Sequence, residues 1–230
     1  MKLDAPEPMP LRERSAVLEI ARRPRVWGHL SQLPQGRQTV LVVPGFMTAD
    51  GSTWLLRQAL RRLGHDVYGW GLGRNRGNVE ELLQLLLQRM ETLYLGEPIH
   101  LVGWSLGGYL AREMARERPD QVAQVITLAS PVIGGPKYTA AARTFRERFG
   151  ADLDAIERQV AERNAVPLIT PVTAMYSPQD SVVCPAACID DHSPNVEHIQ
   201  MKCSHAGFGF CPEVWTLIAE RLAAPPKVYS

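Results

Sequence analysis

The chain has 230 residues, 45% hydrophobic and 21% charged, which suits one globular domain with room for an inserted subdomain and excludes disorder, collagen and coiled coil. Lys and Arg number 25 against 24 Asp and Glu, a net charge of +1, too little field to steer nucleic acid or anionic lipid. No run reaches the ~20 apolar residues of a membrane span, so no integral membrane association is expected. The opening MKLDAPEPMPLRERS has no apolar h-region, which makes the cytoplasm the expected compartment.

Residues 1–36 precede the periodic part of the chain and are expected as an N-terminal extension, with 11–23 (LRERSAVLEIARR) forming a helix. From there short apolar runs alternate with helical periodicity, the pattern of an α/β, doubly wound and mostly parallel sheet covered on both faces. Strand 39–44 (TVLVVP) leads to a helix at 52–63 opened by a Ser or Thr cap. Strand 66–70, helix 78–93, strand 99–104, helix 106–118 and strand 122–129 follow. Two polar amphipathic segments, 137–149 and 152–164, then form a small helical insertion at about 134–167. A strand at 171–176, a short helix or loop around 184–192, a strand at 195–202 and a helix at 212–223 complete the series.

One pattern carries chemistry. Gly103-Trp104-Ser105-Leu106-Gly107 matches G-x-S-x-G where a buried strand meets a helix, the setting that exposes a serine on a strained turn. A serine hydroxyl is a poor nucleophile and needs a histidine base held by a carboxylate. In a doubly wound sheet these partners belong on loops at the carboxyl ends of later strands. Asp180 and His205 stand there, in the chain order Ser105, Asp180, His205; Asp190 and Asp191 are possible substitutes for Asp180. The oxyanion hole needs two fixed N–H donors. Leu106, at the helix start, supplies one, and the loop Pro44-Gly45-Phe46-Met47-Thr48 the other, with Phe46 first and Met47 next. Expected pocket residues are Met47, Trp104, Val132, Ile133, Phe208 and Phe210, each of which would serve equally as core.

The glycine-rich stretch Gly69–Gly77 lacks the spacing of a phosphate loop. It reads as a rim of the site, with Arg74 and Arg76 preferred as solvated side chains and a role toward a substrate carboxylate or phosphate as the alternative. The cysteines, Cys184, Cys188, Cys203 and Cys211, contain no C-x2-C pair. Cys184, Cys188 and His192 would share one helical face as soft ligands, but no fourth ligand follows, and buried free thiols are the preferred reading. The mechanism requires no metal and no organic cofactor.

With these residues placed, the chain resembles the α/β-hydrolase superfamily, and among its members a bacterial branch of esterase and lipase-like hydrolases. The segments VLVVPGFMTADGSTW, IHLVGWSLGGYLAREMA, AMYSPQDSVV and CSHAGFGF carry the likeness. The resemblance implies Ser105 as nucleophile, Asp180 as acid, His205 as base, Phe46 and Leu106 as oxyanion amides, and a small-molecule ester with an apolar acyl group as substrate. Two departures stand out: Pro44 occupies a position where many relatives carry His, and the insertion is too short for a full-sized cap. The same residues would serve a lipase or thioesterase, and a non-catalytic binding protein of this fold is the rival outside enzymes.

Overall fold

The computed structural model describes residues 30–224, so the expected helix at 11–23 lies outside the described residues. Six strands, β1 (Thr39–Val43), β2 (Asp66–Gly69), β3 (Ile99–Trp104), β4 (Val122–Leu128), β5 (Val172–Tyr176) and β6 (Val196–Gln200), form one sheet in the order β2-β1-β3-β4-β5-β6. Every pairing is parallel. The chain runs outward from β1 to β2, then returns to place β3 on the other side of β1. That reversal opens a crevice at the carboxyl ends of β1 and β3, where ligands bind in such sheets.

Strand alternation divides the core between the two faces of the sheet. Val40 and Val42 point to one side, where α1 (Trp54–Arg62) contributes Leu56 and Leu60 and α6 (Pro212–Ala223) contributes Trp215 and Ile218. Leu41 and Val43 point to the other, against Leu83, Leu86 and Met90 of α2 (Val79–Leu93) and Leu110 and Met114 of α3 (Leu106–Glu117). Each fully buried leucine contributes about 1.5–3 kcal/mol, so this double interface holds the strand ends in place.

The expected elements recur with shifted ends, and each shift has a local cause. α3 stops at Glu117 because Arg118, before Pro119, leaves the helical region at φ −138° and ψ 63°. No side chain caps α1: Ser52 and Thr53 donate their hydroxyls to the carbonyls of Ala49 and Asp50, closing a 3-10 turn at Asp50–Thr53. The first α-helix of the insertion starts later than its amphipathic pattern: a 3-10 turn at Gly135–Tyr138 comes first, then α4 (Ala142–Phe149) and α5 (Leu153–Asn164). The Thr139 stretch is drawn out as an antiparallel bridge to Val183, and Ala140 N–H donates to Val182 O at 2.7 Å. α5 is capped by the Asp152 carboxylate and seats Leu153 and Val160 in the protein, whereas α4 buries no residue. Among the described residues no helix is long and apolar enough to cross a membrane.

Candidate active site

Ser105 occupies the turn between β3 and α3 with φ 55° and ψ −124°, a region that costs a non-glycine residue roughly 1–3 kcal/mol. Its neighbours leave no alternative path. A Cβ on Gly107 would strike the carbonyls of Val43 and Pro44, and one on Gly103 would strike the Gly107–Gly108 backbone. The two flanking glycines therefore let α3 start directly against β1 and β3. Ser105 N–H donates to Leu128 O at 2.8 Å, fixing the turn to the end of β4. Leu106, the first residue of α3, has an N–H that no helical carbonyl can accept, at the positive end of the helix dipole.

Asp180 follows β5 and is 5% exposed. Its Oδ1 accepts the amides of Val182 and Val183 at 2.7 and 2.8 Å, and its Oδ2 lies 2.7 Å from His205 Nδ1. The two backbone donors fix the carboxylate, which in turn orients the imidazole. With Nδ1 as the donor to Asp180, Nε2 is the ring's acceptor nitrogen. Ser105, His205, Trp104, Phe46 and Leu106 all line a single cavity of about 850 Å3. The insertion forms its far wall through Phe145 of α4 and Ile156 and Val160 of α5, with Leu83 of α2 adding to the apolar lining. Gln159, Glu117 and Arg163 make the remote end polar.

Other expected residues fall elsewhere. Phe208 is 0% exposed, because the 3-10 turn Ala206–Gly209 after His205 rotates it into the core under Trp215, and Phe210 packs on that same cluster. The carbonyl of Val132 accepts the Asn164 amide and the N–H of Ile133 donates to Ala187 O, so this pair anchors the insertion instead of lining the cavity. Met47 is 36% exposed, and its N–H donates to Asn75 O at 2.7 Å, which removes it as an oxyanion donor and leaves Phe46. Arg74 and Arg76 are exposed and outside the cavity lining.

Asp190 cannot substitute for Asp180. It is 3% exposed, it pairs with buried Arg112 at 2.6 Å, and its Oδ1 accepts the amides of His192 and Ser193. Burial alone would raise its pKa, but the Arg112 charge and these hydrogen bonds outweigh that and hold it at about 2. Asp191 lies beside it on the same loop, before β6. All four cysteines are free thiols, and Cys184 and Cys188 bracket a 3-10 turn, not the α-helix a shared ligand face would need. No cluster of three His, Cys, Asp or Glu among the described residues is arranged to hold a metal ion.

The residue that sequence reasoning missed is Asn75. It is 0% exposed between two exposed arginines, and its side chain donates to Pro44 O at 2.9 Å. A polar residue in a glycine-rich loop gives no local sign of such burial.

Comparison with known proteins bears on the family and the fold. A pimeloyl-[acyl-carrier protein] methyl ester esterase of Photobacterium profundum is 30% identical over 181 residues, 73% of this chain and 66% of that protein. One of the same name from Aeromonas hydrophila is 38% identical over 65 residues, 28% of this chain and 25% of that protein. The chain thus matches less than two thirds of the length of either relative. Among solved structures, the monoacylglycerol lipase of Paleococcus ferrophilus superposes with a TM-score of 0.59 at 20% identity, over 82% of this chain and 96% of that one, a likeness of fold. The alpha/beta hydrolase family matches residues 40–212, from β1 to the start of α6, and with well over half of its length inside that match the chain belongs to the alpha/beta hydrolase family.

Proposed function

We propose that this protein is a serine hydrolase that cleaves carboxylic esters through an acyl-enzyme. Ser105 Oγ attacks the carbonyl carbon while its proton passes to His205 Nε2. Asp180 keeps Nδ1 protonated and offsets the imidazolium charge. The carbonyl oxygen becomes an oxyanion against the Phe46 and Leu106 amides. When the intermediate collapses, the ester C–O bond breaks and Nε2 returns the proton to the leaving alcohol. Water then attacks the acyl-Ser105 carbon, giving its proton to Nε2, which restores it to Ser105 Oγ as the acid leaves.

The observation that carries this reading is the 2.7 Å contact between His205 and Asp180 beside a serine held at φ 55° on the same cavity. The apolar wall of Phe46, Phe145, Ile156 and Val160 suits an apolar acyl group, and the relatives' names give the methyl ester of a pimeloyl group on acyl-carrier protein as a substrate to try. The insertion at 134–167 serves as a small lid, since α4 reaches the body through Phe145 and Phe149 around the Phe46 ring, with Phe46 and Phe145 centroids 4.7 Å apart.

The test is hydrolysis of p-nitrophenyl esters from acetate to palmitate by wild type and Ser105→Ala. The substitution should remove the measurable rate, down to at most the ~10³–10⁴-fold over water that binding and the oxyanion hole alone supply. Equal rates for the two proteins, or failure of a fluorophosphonate to label Ser105 in folded wild type, would overturn the reading.

A further inference from the structure

Among the described residues three non-glycine residues have positive φ: Met47 at 60°, Ser105 at 55° and Ala129 at 48°. They sit just past β3 and β4 and in the turn that follows β1, at the carboxyl ends of neighbouring strands. Ser105 is braced by close backbone packing. The Met47 turn has a different brace, the otherwise unassigned loop Gly69–Gly77.

Three hydrogen bonds join the two loops through Asn75, and a fourth holds its side chain within its own loop. Met47 N–H donates to Asn75 O at 2.7 Å, Asn75 N–H to Thr48 O at 2.8 Å, and Asn75 Nδ2 to Pro44 O at 2.9 Å. Gly77 N–H donates to Asn75 Oδ1 at 3.1 Å, so the amide side chain is held at both ends. The turn also closes on itself, with the Thr48 hydroxyl donating to Gly45 O at 2.7 Å. Pro44 and Thr48 are thus pinned on either side of Phe46, and the Met47 amide is turned away into Asn75. Gly45 in turn lies against the nucleophile, where an added Cβ would come within 3.2 Å of Ser105 Cβ.

We propose that Asn75 is the positioning residue of the oxyanion hole: by holding Pro44, Met47 and Thr48 it fixes the Phe46 N–H at the carbonyl oxygen's place. The proposal rests on the ester-hydrolase reading of Ser105. The site requires an asparagine for a physical reason. One end of the side chain must donate to the Pro44 carbonyl while the other accepts the Gly77 amide. Aspartate keeps the acceptor for Gly77 but sets a second oxygen against Pro44 O, and glutamine is one carbon too long for both contacts.

A misplaced donor should be lost mainly in the transition state, because the oxyanion forms only there. A merely structural loop residue predicts something else. The other end of the stretch is anchored by Asp50, whose carboxylate accepts the amides of Trp70 and Gly71 at 3.0 Å each. General loosening of the loop would therefore follow from Asp50→Ala as readily as from a change at Asn75.

The experiment compares Asn75→Asp, Asn75→Ser, Asp50→Ala and Ser105→Ala on the best p-nitrophenyl ester, with inhibition by the trifluoromethyl ketone of the same acyl chain. Asn75→Asp should lose about 10–100-fold in kcat with KM changed less than about threefold. Trifluoromethyl ketone affinity should weaken in step with kcat/KM, and Asp50→Ala should stay within about threefold of wild type. If Asn75→Asp fails to fold, Asn75→Ser, which retains a smaller hydroxyl donor, carries the same split. Wild-type kcat in the Asn75 variants, or an equal fall in Asp50→Ala, overturns the positioning role while an inactive Ser105→Ala leaves the hydrolase reading standing. A fully active Ser105→Ala overturns both.

Discussion

On the proposed hydrolase reading, Asp180→Asn separates the catalytic and structural parts of one side chain. Asp180 makes three contacts: Oδ1 accepts two backbone amides at 2.7 and 2.8 Å, and Oδ2 meets His205 Nδ1 at 2.7 Å. An asparagine can keep Oδ1 on the Val182 and Val183 amides, so the loop after β5 stays built. Its NH2 then faces His205 and can only donate, which makes Nδ1 an acceptor and moves the ring proton to Nε2. In that tautomer the imidazole cannot take the Ser105 proton, and the charge that offsets the imidazolium is gone. The kcat should fall by about 10³–10⁴-fold with stability nearly unchanged. Asp180→Ala instead strands two buried amides at about 1–3 kcal/mol each, lowering Tm by roughly 5–20 °C in a chain of this size. Ester hydrolysis at saturating substrate, with calorimetric Tm on the same preparations, tests both halves. Less than a tenfold loss in Asp180→Asn, or an equal Tm fall in both variants, would refute the division.

Three further outcomes follow from buried groups. His100, 5% exposed and hydrogen-bonded to Gln124, is pushed down to about 4 by burial and then by neighbouring His65, itself lowered by burial. The fold therefore holds His100 neutral while the unfolded chain protonates it below ~6.5, so stability should drop as pH falls from 6.5 toward 4, by up to about 3 kcal/mol. Urea midpoints that change with pH equally in wild type and His100→Gln would contradict this. Arg112→Met leaves the Asp190 carboxylate buried without its partner and should cost about 3–5 kcal/mol at neutral pH. Asp190 is held at about 2 in the fold, so its contribution in wild type is present above ~3.9 and lost as pH falls toward 2. The gap between wild type and Arg112→Met should therefore narrow in acid, and a gap independent of pH would be the contrary result. Gly107→Ala forces its methyl into Val43 O and within 2.7 Å of Pro44 O, whereas Gly51→Ala meets nothing within 4 Å. The first should abolish soluble folding or lower Tm sharply and the second stay within ~0.5 kcal/mol, as thermal unfolding of both would tell.

The parts legible in the sequence are those whose signal is local. Val40 through Val43 read as a strand because they are buried on both faces, and α2 reads as a helix because Leu82, Leu83, Leu86 and Met90 share one side. Gly103 and Gly107 around Ser105 are visible for the same reason, since close packing demands them within five residues. What was not legible depends on partners far along the chain. The amphipathic pattern begins a helix at 137, but Thr139 pairs with Val183 and delays α4 to Ala142. Phe208 and Phe210 look like pocket residues beside His205, yet a single 3-10 turn sends Phe208 to the core. Asp190 resembles a spare acid until Arg112, 78 residues away, is brought against it.

The site's strain explains why so much of the surrounding structure is rigid. Met47, Ser105 and Ala129 hold unfavourable backbone angles, together costing several kcal/mol, a large share of the ~5–15 kcal/mol by which a domain is stable. Such angles persist only where neighbours leave no relaxed alternative. Ser105 is confined by Gly103, Gly107 and the Leu128 carbonyl, Ala129 by its N–H bond to Met175 O at 2.8 Å, and Met47 by Asn75. The first two constraints come from the sheet, whose strands are buried on both sides and cannot shift independently. The third comes from a surface loop fixed by hydrogen bonds, so on the positioning role proposed for Asn75 the Phe46 turn is a wall of the site whose geometry a single polar side chain can undo.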